Sequence, residues 1–141
     1  MAQPKKVAEI FLGVLGEGSD KERIAERLKD FENKDWQALY ALLTDHGLFP
    51  AFYTKLLDLK LENIPSDFLA KLKNIYFLNL QRNLLLEQEF FGILNHLQDS
   101  GIPVIPLKGP LLARWLYGDS GLRQASVDLD LLVRQEAVNQ A

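Results

Sequence analysis

Apolar residues in the first hundred positions recur three or four residues apart, which is the spacing of one face of an α-helix. The first clear stripe is Ile24, Leu28 and Phe31. Ser19 and Glu22 precede it at the spacing of a capping box, in which the two side chains bind backbone N–H groups at a helix start. We therefore predict a helix from about residue 20 to residue 31.

Two further helices are predicted before residue 60. The first has Asn33 or Asp35 as its cap and ends at Gly47, because glycine readily takes the left-handed conformation that closes a helix. Its apolar stripe is Trp36, Leu39, Tyr40 and Leu43. Pro50 suits the first turn of the next helix, where a missing N–H group does no harm, and that helix extends through Leu57.

The longest predicted helix begins at Ser66, which can cap it, and ends near Ser100 and Gly101. Its apolar residues cover more than one face, so we expect it to pack against neighbours on two sides. These patterns together predict a helical bundle over residues 1–100.

The pattern changes after Gly101. The run "GIPVIPL" predicts a strand with an exposed or irregular edge, and "KGPLLARWLYG" predicts a short helix that starts at Gly109 and Pro110. "VDLDLLV" predicts a second strand, and "RQEAVNQA" the start of another helix. The predicted fold class is therefore mainly α with a small α/β part, as a helical region (1–100) and a strand-helix-strand unit (101–141).

Two strands do not form an independently stable sheet unless another element covers them. Either the helical region supplies that cover, or the natural protein continues beyond Ala141. We favour the second explanation and expect the chain to be a fragment.

Composition narrows the function classes only slightly. The chain has 141 residues, of which 48% are hydrophobic and 25% charged, as in ordinary globular proteins. The absence of cysteine excludes disulfides, thiolate metal sites and cysteine nucleophiles. A net charge of −3 gives no indication of a nucleic-acid partner. No stretch approaches the roughly 20 apolar residues that span a bilayer, so we expect a cytoplasmic protein without a membrane partner.

Two carboxylates lie one residue apart in the second predicted strand. Side chains alternate between the faces of a strand, so Asp128 and Asp130 are expected on one face and Leu129 on the other. Paired carboxylates repel each other unless a cation neutralises them, and Mg²⁺ prefers such oxygen ligands. The alternative is a charged edge strand that blocks aggregation.

A candidate phosphate site precedes the aspartates. A helix start offers unpaired N–H groups and the positive end of the helix dipole. Gly109 would allow a phosphate to approach the backbone, and Lys108 could add a positive charge. The alternative is a solvated lysine followed by an ordinary glycine turn.

The segment "IPVIPLKGPLLARWLYGDSGLRQASVDLDLLV" resembles the uncharacterised nucleotidyltransferases of the polymerase-beta superfamily, which carry an "LKG…Y…R…D-x-D-x-L-V" block after a helical region. The earlier "ALLTDHGLFPAFYTKL" is also similar to that family's helical part. The resemblance implies that residues 101–141 form a partial nucleotidyltransferase-like core.

By this resemblance, Asp128 and Asp130 are the catalytic, metal-binding aspartates, and Gly109 is the glycine of the phosphate-binding turn. Arg123 matches the family's arginine, which either contacts a phosphate or braces the loop. Many members have Gly-Ser where this chain has Lys108-Gly109-Pro110, so the serine hydroxyl is absent.

Members of the superfamily generally use a third carboxylate on a later strand. Glu136 is the only acid after Asp130, and it lies in the next predicted helix, so we do not assign it that role. We therefore expect the metal site of this chain to be incomplete.

Two functions follow as hypotheses. The first is a Mg²⁺-dependent nucleotidyltransferase, or the front part of one, that moves a nucleoside monophosphate from a nucleoside triphosphate to an unknown acceptor. The second is a helical protein-interaction module with an incomplete, non-catalytic core. A third, structural hypothesis is a homo-oligomer formed through exposed strand edges.

Overall fold

The computed structural model describes residues 4–124 and 128–139. In chain order the elements are α1 (Pro4–Leu15), α2 (Lys21–Leu28), α3 (Asn33–His46), α4 (Phe49–Leu59), α5 (Ser66–Asp99), β1 (Val104–Pro106), α6 (Pro110–Tyr117), β2 (Leu131–Val133) and a 3₁₀ turn, Gln135–Ala137. The predicted class, mainly helical with a small part that contains strands, is confirmed.

The chain divides into two compact units, residues 1–77 and residues 78–141. Helix α5 contributes its first turns to the first unit and the remainder to the second. The separate prediction of two domains, 1–100 and 101–141, stays a prediction.

The core of the first unit is built from one apolar face of each helix. Its buried side chains are Val7, Ile10 and Val14 of α1, Ile24 and Leu28 of α2, Trp36, Leu39 and Leu43 of α3, Phe52, Tyr53 and Leu56 of α4, and Phe68 and Leu72 of α5. Helix α1 lies within the predicted helical region but was not among the helices predicted individually, and Glu9 and Gly13 interrupt its apolar stretch. Its buried residues nevertheless recur at helical spacing, and this burial stabilises the helix.

The cap of α2 differs from the predicted one. Asp20 is the N-cap, and its carboxylate accepts a hydrogen bond from the backbone N–H of Arg23 at 3.0 Å. The Ser19 hydroxyl instead donates to the carbonyl oxygens of Val14 and Gly16, at 3.1 and 2.9 Å. The predicted Ser19–Glu22 box is therefore wrong, because Ser19 satisfies carbonyls at the end of α1.

Helix α3 begins one residue earlier than its predicted caps allow. Glu32 is the N-cap, and the Asp35 carboxylate accepts a hydrogen bond from the backbone N–H of Glu32 at 3.1 Å. The helix ends at Gly47 in the left-handed conformation, with φ of 63°, as predicted.

The second unit contains the predicted strand, helix and strand. Strands β1 and β2 are antiparallel, with Val104 opposite Val133 and Pro106 opposite Leu131. Helix α6 lies between Gly109 and Gly118, which matches the prediction. The chain after β2 forms a 3₁₀ turn over the described residues, where the start of a helix was predicted.

The second strand is shorter than predicted. It begins at Leu131, so Asp128 and Asp130 lie in the irregular segment before it, and Val127 lies outside the described residues. The backbone pairing at this end extends to a hydrogen bond from the Leu107 N–H group to the Asp130 carbonyl oxygen at 3.0 Å, outside the regular strand. The alternation of a strand therefore does not apply to the two aspartates.

None of the helices in the described ranges is both long enough and apolar enough to cross a membrane.

Candidate active site

The turn between β1 and α6 depends on Gly109. Its backbone angles are φ 87° and ψ −151°, a region that only glycine occupies without strain. Gly109 is the N-cap of α6, and its carbonyl oxygen accepts a hydrogen bond from the backbone N–H of Ala113 at 3.2 Å. Pro110 removes one N–H group from the first turn, so the N–H groups of Leu111 and Leu112 are the ones that a helix start leaves for a ligand.

The segment with the two aspartates lies against this turn. The backbone N–H of Leu107 donates to the carbonyl oxygen of Asp130 at 3.0 Å, which extends the pairing of β1 with β2. A Cβ atom placed on Gly109 would lie 3.6 Å from Cδ2 of Leu129, the residue between the two aspartates. The predicted phosphate turn and the segment that carries the predicted metal ligands are therefore neighbours in space.

Lys108 forms an ion pair with Asp130. Its Nζ atom is 3.0 Å from Asp130 Oδ2, and the two side chains are 67% and 39% exposed. An ion pair with this much solvent access contributes about 0–1 kcal/mol to stability. The ammonium nevertheless places a positive charge beside one of the two carboxylates, where a metal ion was predicted.

Arg123 braces the glycine turn. Its Nη1 atom donates to the carbonyl oxygen of Gly109 at 3.2 Å, across 14 residues of sequence. Of the two roles that the resemblance gave to Arg123, this contact is the bracing one. A phosphate contact stays a prediction.

The carboxylates suit a magnesium ion by their chemistry. Mg²⁺ is commonly held by one or two carboxylates, with waters and substrate phosphates completing its octahedral coordination. Asp128 is exposed and Asp130 is half-exposed, so waters and phosphates could reach a metal ion beside either carboxylate. Within residues 4–124 and 128–139, no group of three His, Cys, Asp or Glu side chains is arranged to hold a metal ion. The third carboxylate stays unassigned.

Three polar residues that the sequence patterns did not single out also contact this region. Asn79, Asn83 and Glu87 lie on α5 at intervals of four residues, and all three are buried. They bind the loop that carries Arg123. The signal was their spacing, since three polar residues on one face of a helix rich in apolar residues indicate a buried polar contact.

A glycine turn at a helix start, placed beside a pair of carboxylates, is typical of proteins that bind phosphorylated ligands together with a metal ion. Comparison of the sequence with protein-family models identifies one family within this class. Residues 32–141 match the family model described as "Uncharacterised nucleotidyltransferase", and the chain belongs to this family. No curated protein and no solved structure matches the chain. The assignment to the polymerase-beta superfamily stays a prediction.

Proposed function

We propose that this protein is a Mg²⁺-dependent nucleotidyltransferase that transfers a nucleoside monophosphate from a nucleoside triphosphate to an acceptor. Membership of the nucleotidyltransferase family supports nucleotidyl transfer as the reaction. The observation that carries the proposal is the contact between the Gly109 turn and the segment with Asp128 and Asp130. A phosphate chain bound at the turn would lie beside the carboxylates.

The turn is the proposed phosphate site. The N–H groups of Leu111 and Leu112 at the start of α6 would donate to the oxygens of a phosphate, and the conformation of Gly109 sets the direction of that helix start. Arg123 keeps the turn in place through its bond to the Gly109 carbonyl. The positive end of the α6 dipole adds a favourable interaction with the negative phosphate.

The two aspartates are the proposed metal ligands. When bound, Mg²⁺ would neutralise charge on the triphosphate and orient its α-phosphate. In the transfer, an acceptor hydroxyl oxygen forms a bond to the α-phosphorus and loses its proton to water, the bond from this phosphorus to the bridging oxygen breaks, and pyrophosphate leaves. The protein contributes positioning and charge, since this reaction needs little covalent chemistry from side chains.

Lys108 has a double role in this proposal. Its ammonium lies 3.0 Å from the Asp130 carboxylate and neutralises it. A metal ion at Asp130 would replace that charge, and the released ammonium would then be close enough to the Gly109 turn to bind a phosphate. The exposed, flexible lysine allows this exchange at small energetic cost.

The direct test is a calorimetric titration of the chain with each common ribonucleoside triphosphate, with Mg²⁺ and then with EDTA. We expect binding that requires Mg²⁺ and falls about tenfold or more in Asp128→Asn, because a metal ligand is lost. Asp99→Asn is the matched control, as it makes the same chemical change at an exposed position at the end of α5.

Circular dichroism of both variants checks that the fold is retained. Equal nucleotide affinity in the wild type and Asp128→Asn would contradict the proposal.

The second candidate function is a protein-interaction module, and one observation favours it. Helix α6 exposes large apolar side chains, among them Trp115 at 81% exposure and the neighbouring Leu116 and Tyr117. Exposed tryptophan and tyrosine are frequent among the residues that dominate protein interfaces. The same titration separates the two functions, since a pure interaction module binds no triphosphate.

A further inference from the structure

A row of buried polar side chains runs along the second half of α5. Asn79, Asn83 and Glu87 are 8%, 7% and 7% exposed and lie four residues apart, on one face of the helix. A buried amide or carboxylate is unfavourable unless it is hydrogen-bonded. The hydrogen-bond partners of these three side chains therefore indicate their structural role.

The two asparagines bind backbone carbonyls of a single loop, residues 119–124. The Nδ2 atom of Asn79 donates to the carbonyl oxygens of Gly121 and Arg123, both at 2.8 Å. Asn83 Nδ2 donates to the carbonyl oxygens of Ser120 and Arg123, at 2.5 and 2.8 Å. The Arg123 carbonyl thus accepts from two successive turns of α5, which fixes the backbone of this residue.

Glu87 forms a hydrogen bond with the beginning of the same loop. Its Oε1 atom accepts from Arg114 Nη1 at 2.7 Å, and its Oε2 atom accepts from the Ser120 hydroxyl at 3.2 Å. Arg114 belongs to α6, so the carboxylate links that helix and the loop to α5. Hydrogen bonds to a charged group are stronger than neutral ones.

The fixed loop carries a side chain of the candidate site. The Arg123 guanidinium donates to the Gly109 carbonyl at 3.2 Å, while the Arg123 carbonyl is held by Asn79 and Asn83. A continuous series of hydrogen bonds therefore runs from α5 through Arg123 to the glycine turn. An arginine on an unfixed loop would lose conformational entropy on reaching this position.

We propose that Asn79, Asn83 and Glu87 are positioning residues that hold the loop of residues 119–124, and with it Arg123, against the Gly109 turn. We call these three residues the α5 clamp. Its contribution to nucleotide binding rests on the proposed function. The clamp orders the loop before a ligand arrives, so binding of a triphosphate does not have to supply that ordering.

The variant Asn83→Asp tests the clamp with little change of shape. It replaces both N–H donors by a carboxylate that faces the Ser120 and Arg123 carbonyls, so two hydrogen bonds are lost. Asn95→Asp makes the same change at an exposed position on α5 and is the matched control. If Asn83→Asp does not fold by circular dichroism, Glu87→Gln is a milder change in the same clamp.

The first readout is hydrogen exchange of residues 119–124 in the full chain without nucleotide. We expect these amides to exchange about tenfold faster in Asn83→Asp and at the wild-type rate in Asn95→Asp. Loop exchange that is the same in both variants overturns the clamp, whatever the nucleotide results are. This readout is independent of the proposed function.

The second readout compares two affinities, those for MgATP and for Mn²⁺ alone. We expect Asn83→Asp to weaken MgATP binding several-fold and to leave Mn²⁺ binding unchanged, because the aspartates are not altered. A loosened loop with unchanged MgATP affinity overturns the positioning role. Absence of MgATP binding in the wild type contradicts the proposed function instead, and the exchange rates then decide the clamp alone.

Discussion

The backbone conformation of Gly109 limits substitution at this position. Its φ of 87° with ψ of −151° is a conformation that a side chain makes strained, at a typical cost of about 1–3 kcal/mol. The space beside it is not the obstacle, since an added Cβ would make an ordinary contact with Leu129 at 3.6 Å.

We therefore predict that Gly109→Ala lowers the free energy of unfolding by about 1–3 kcal/mol, measured by urea denaturation. Gly92→Ala is the matched control, because Gly92 lies inside α5 with nothing within 4 Å of an added Cβ. It should stabilise the chain by about 0.5–1 kcal/mol, since alanine favours helix more than glycine does. The same sign of change in both variants would contradict the backbone argument.

Lys108 gives a second prediction for a single residue. In Lys108→Met the ammonium no longer competes for Asp130, so Mn²⁺ alone should bind several-fold more tightly while MgATP binds more weakly. Isothermal titration measures both affinities, and Lys73→Met, exposed on α5, is the control for general loss of charge. If the affinities for Mn²⁺ and MgATP change in the same direction, Lys108 does not move from Asp130 to a phosphate when the metal ion binds.

At the scale of elements, a buried carboxylate joins α1 to α3. Asp35 is 1% exposed, and its Oδ2 atom lies 3.1 Å from the Lys6 ammonium and accepts from the Glu32 N–H group at 3.1 Å. Lys6 also donates to the carbonyl oxygen of Asp30. One carboxylate thus caps the start of α3 and forms an ion pair with Lys6 of α1.

We predict that Asp35→Asn lowers the free energy of unfolding by about 1–3 kcal/mol, because the Glu32 N–H group and the partly buried Lys6 ammonium lose a charged acceptor. Urea denaturation measures the loss, with Asp58→Asn on the exposed side of α4 as control. An unchanged midpoint in Asp35→Asn would show that the buried carboxylate adds no stability.

Elements with clear boundary residues were predictable from sequence. Gly47 ends α3. Gly109 and Pro110 mark the start of α6, and Gly118 marks its end. These residues are informative because glycine permits conformations that end a helix and proline fixes the backbone at a helix start. The choice between Ser19 and Asp20 as cap of α2 was not predictable, since both side chains can cap. In the structure Ser19 binds carbonyl oxygens of Val14 and Gly16, and Asp20 caps α2.

The candidate site was predictable from sequence only in part, because some of its contacts join residues that are far apart in the chain. Chemistry and spacing indicated the aspartates and the Gly109 turn, and the structure brings the two segments together. Asp128 and Asp130 lie before the regular strand, which begins at Leu131, and the alternation of apolar and acidic residues does not reveal where the strand begins. The α5 clamp depends on pairings over about forty residues of sequence, which local patterns do not contain.

At the scale of the whole molecule, the first unit and the second unit differ in character. The first has a continuous apolar core from five helices, whereas the candidate site lies entirely in residues 78–141. Self-association through strand edges stays a prediction, which light scattering tests by the dependence of mass on concentration. A mass that stays that of a monomer at all concentrations would contradict it.

The central claim is that Asp128 and Asp130 hold a divalent cation beside a triphosphate bound at the Gly109 turn. The most direct test is NMR of the isotope-labelled chain with Mn²⁺ and a non-hydrolysable triphosphate, because the paramagnetic ion broadens the signals of nearby amides. We predict broadening of the amides of Lys108, Gly109, Leu111 and Leu112 together with those of residues 128–131, lost in Asp128→Asn and retained in Asp99→Asn. Broadening confined to other parts of the chain, or the same broadening in Asp128→Asn, would contradict the account.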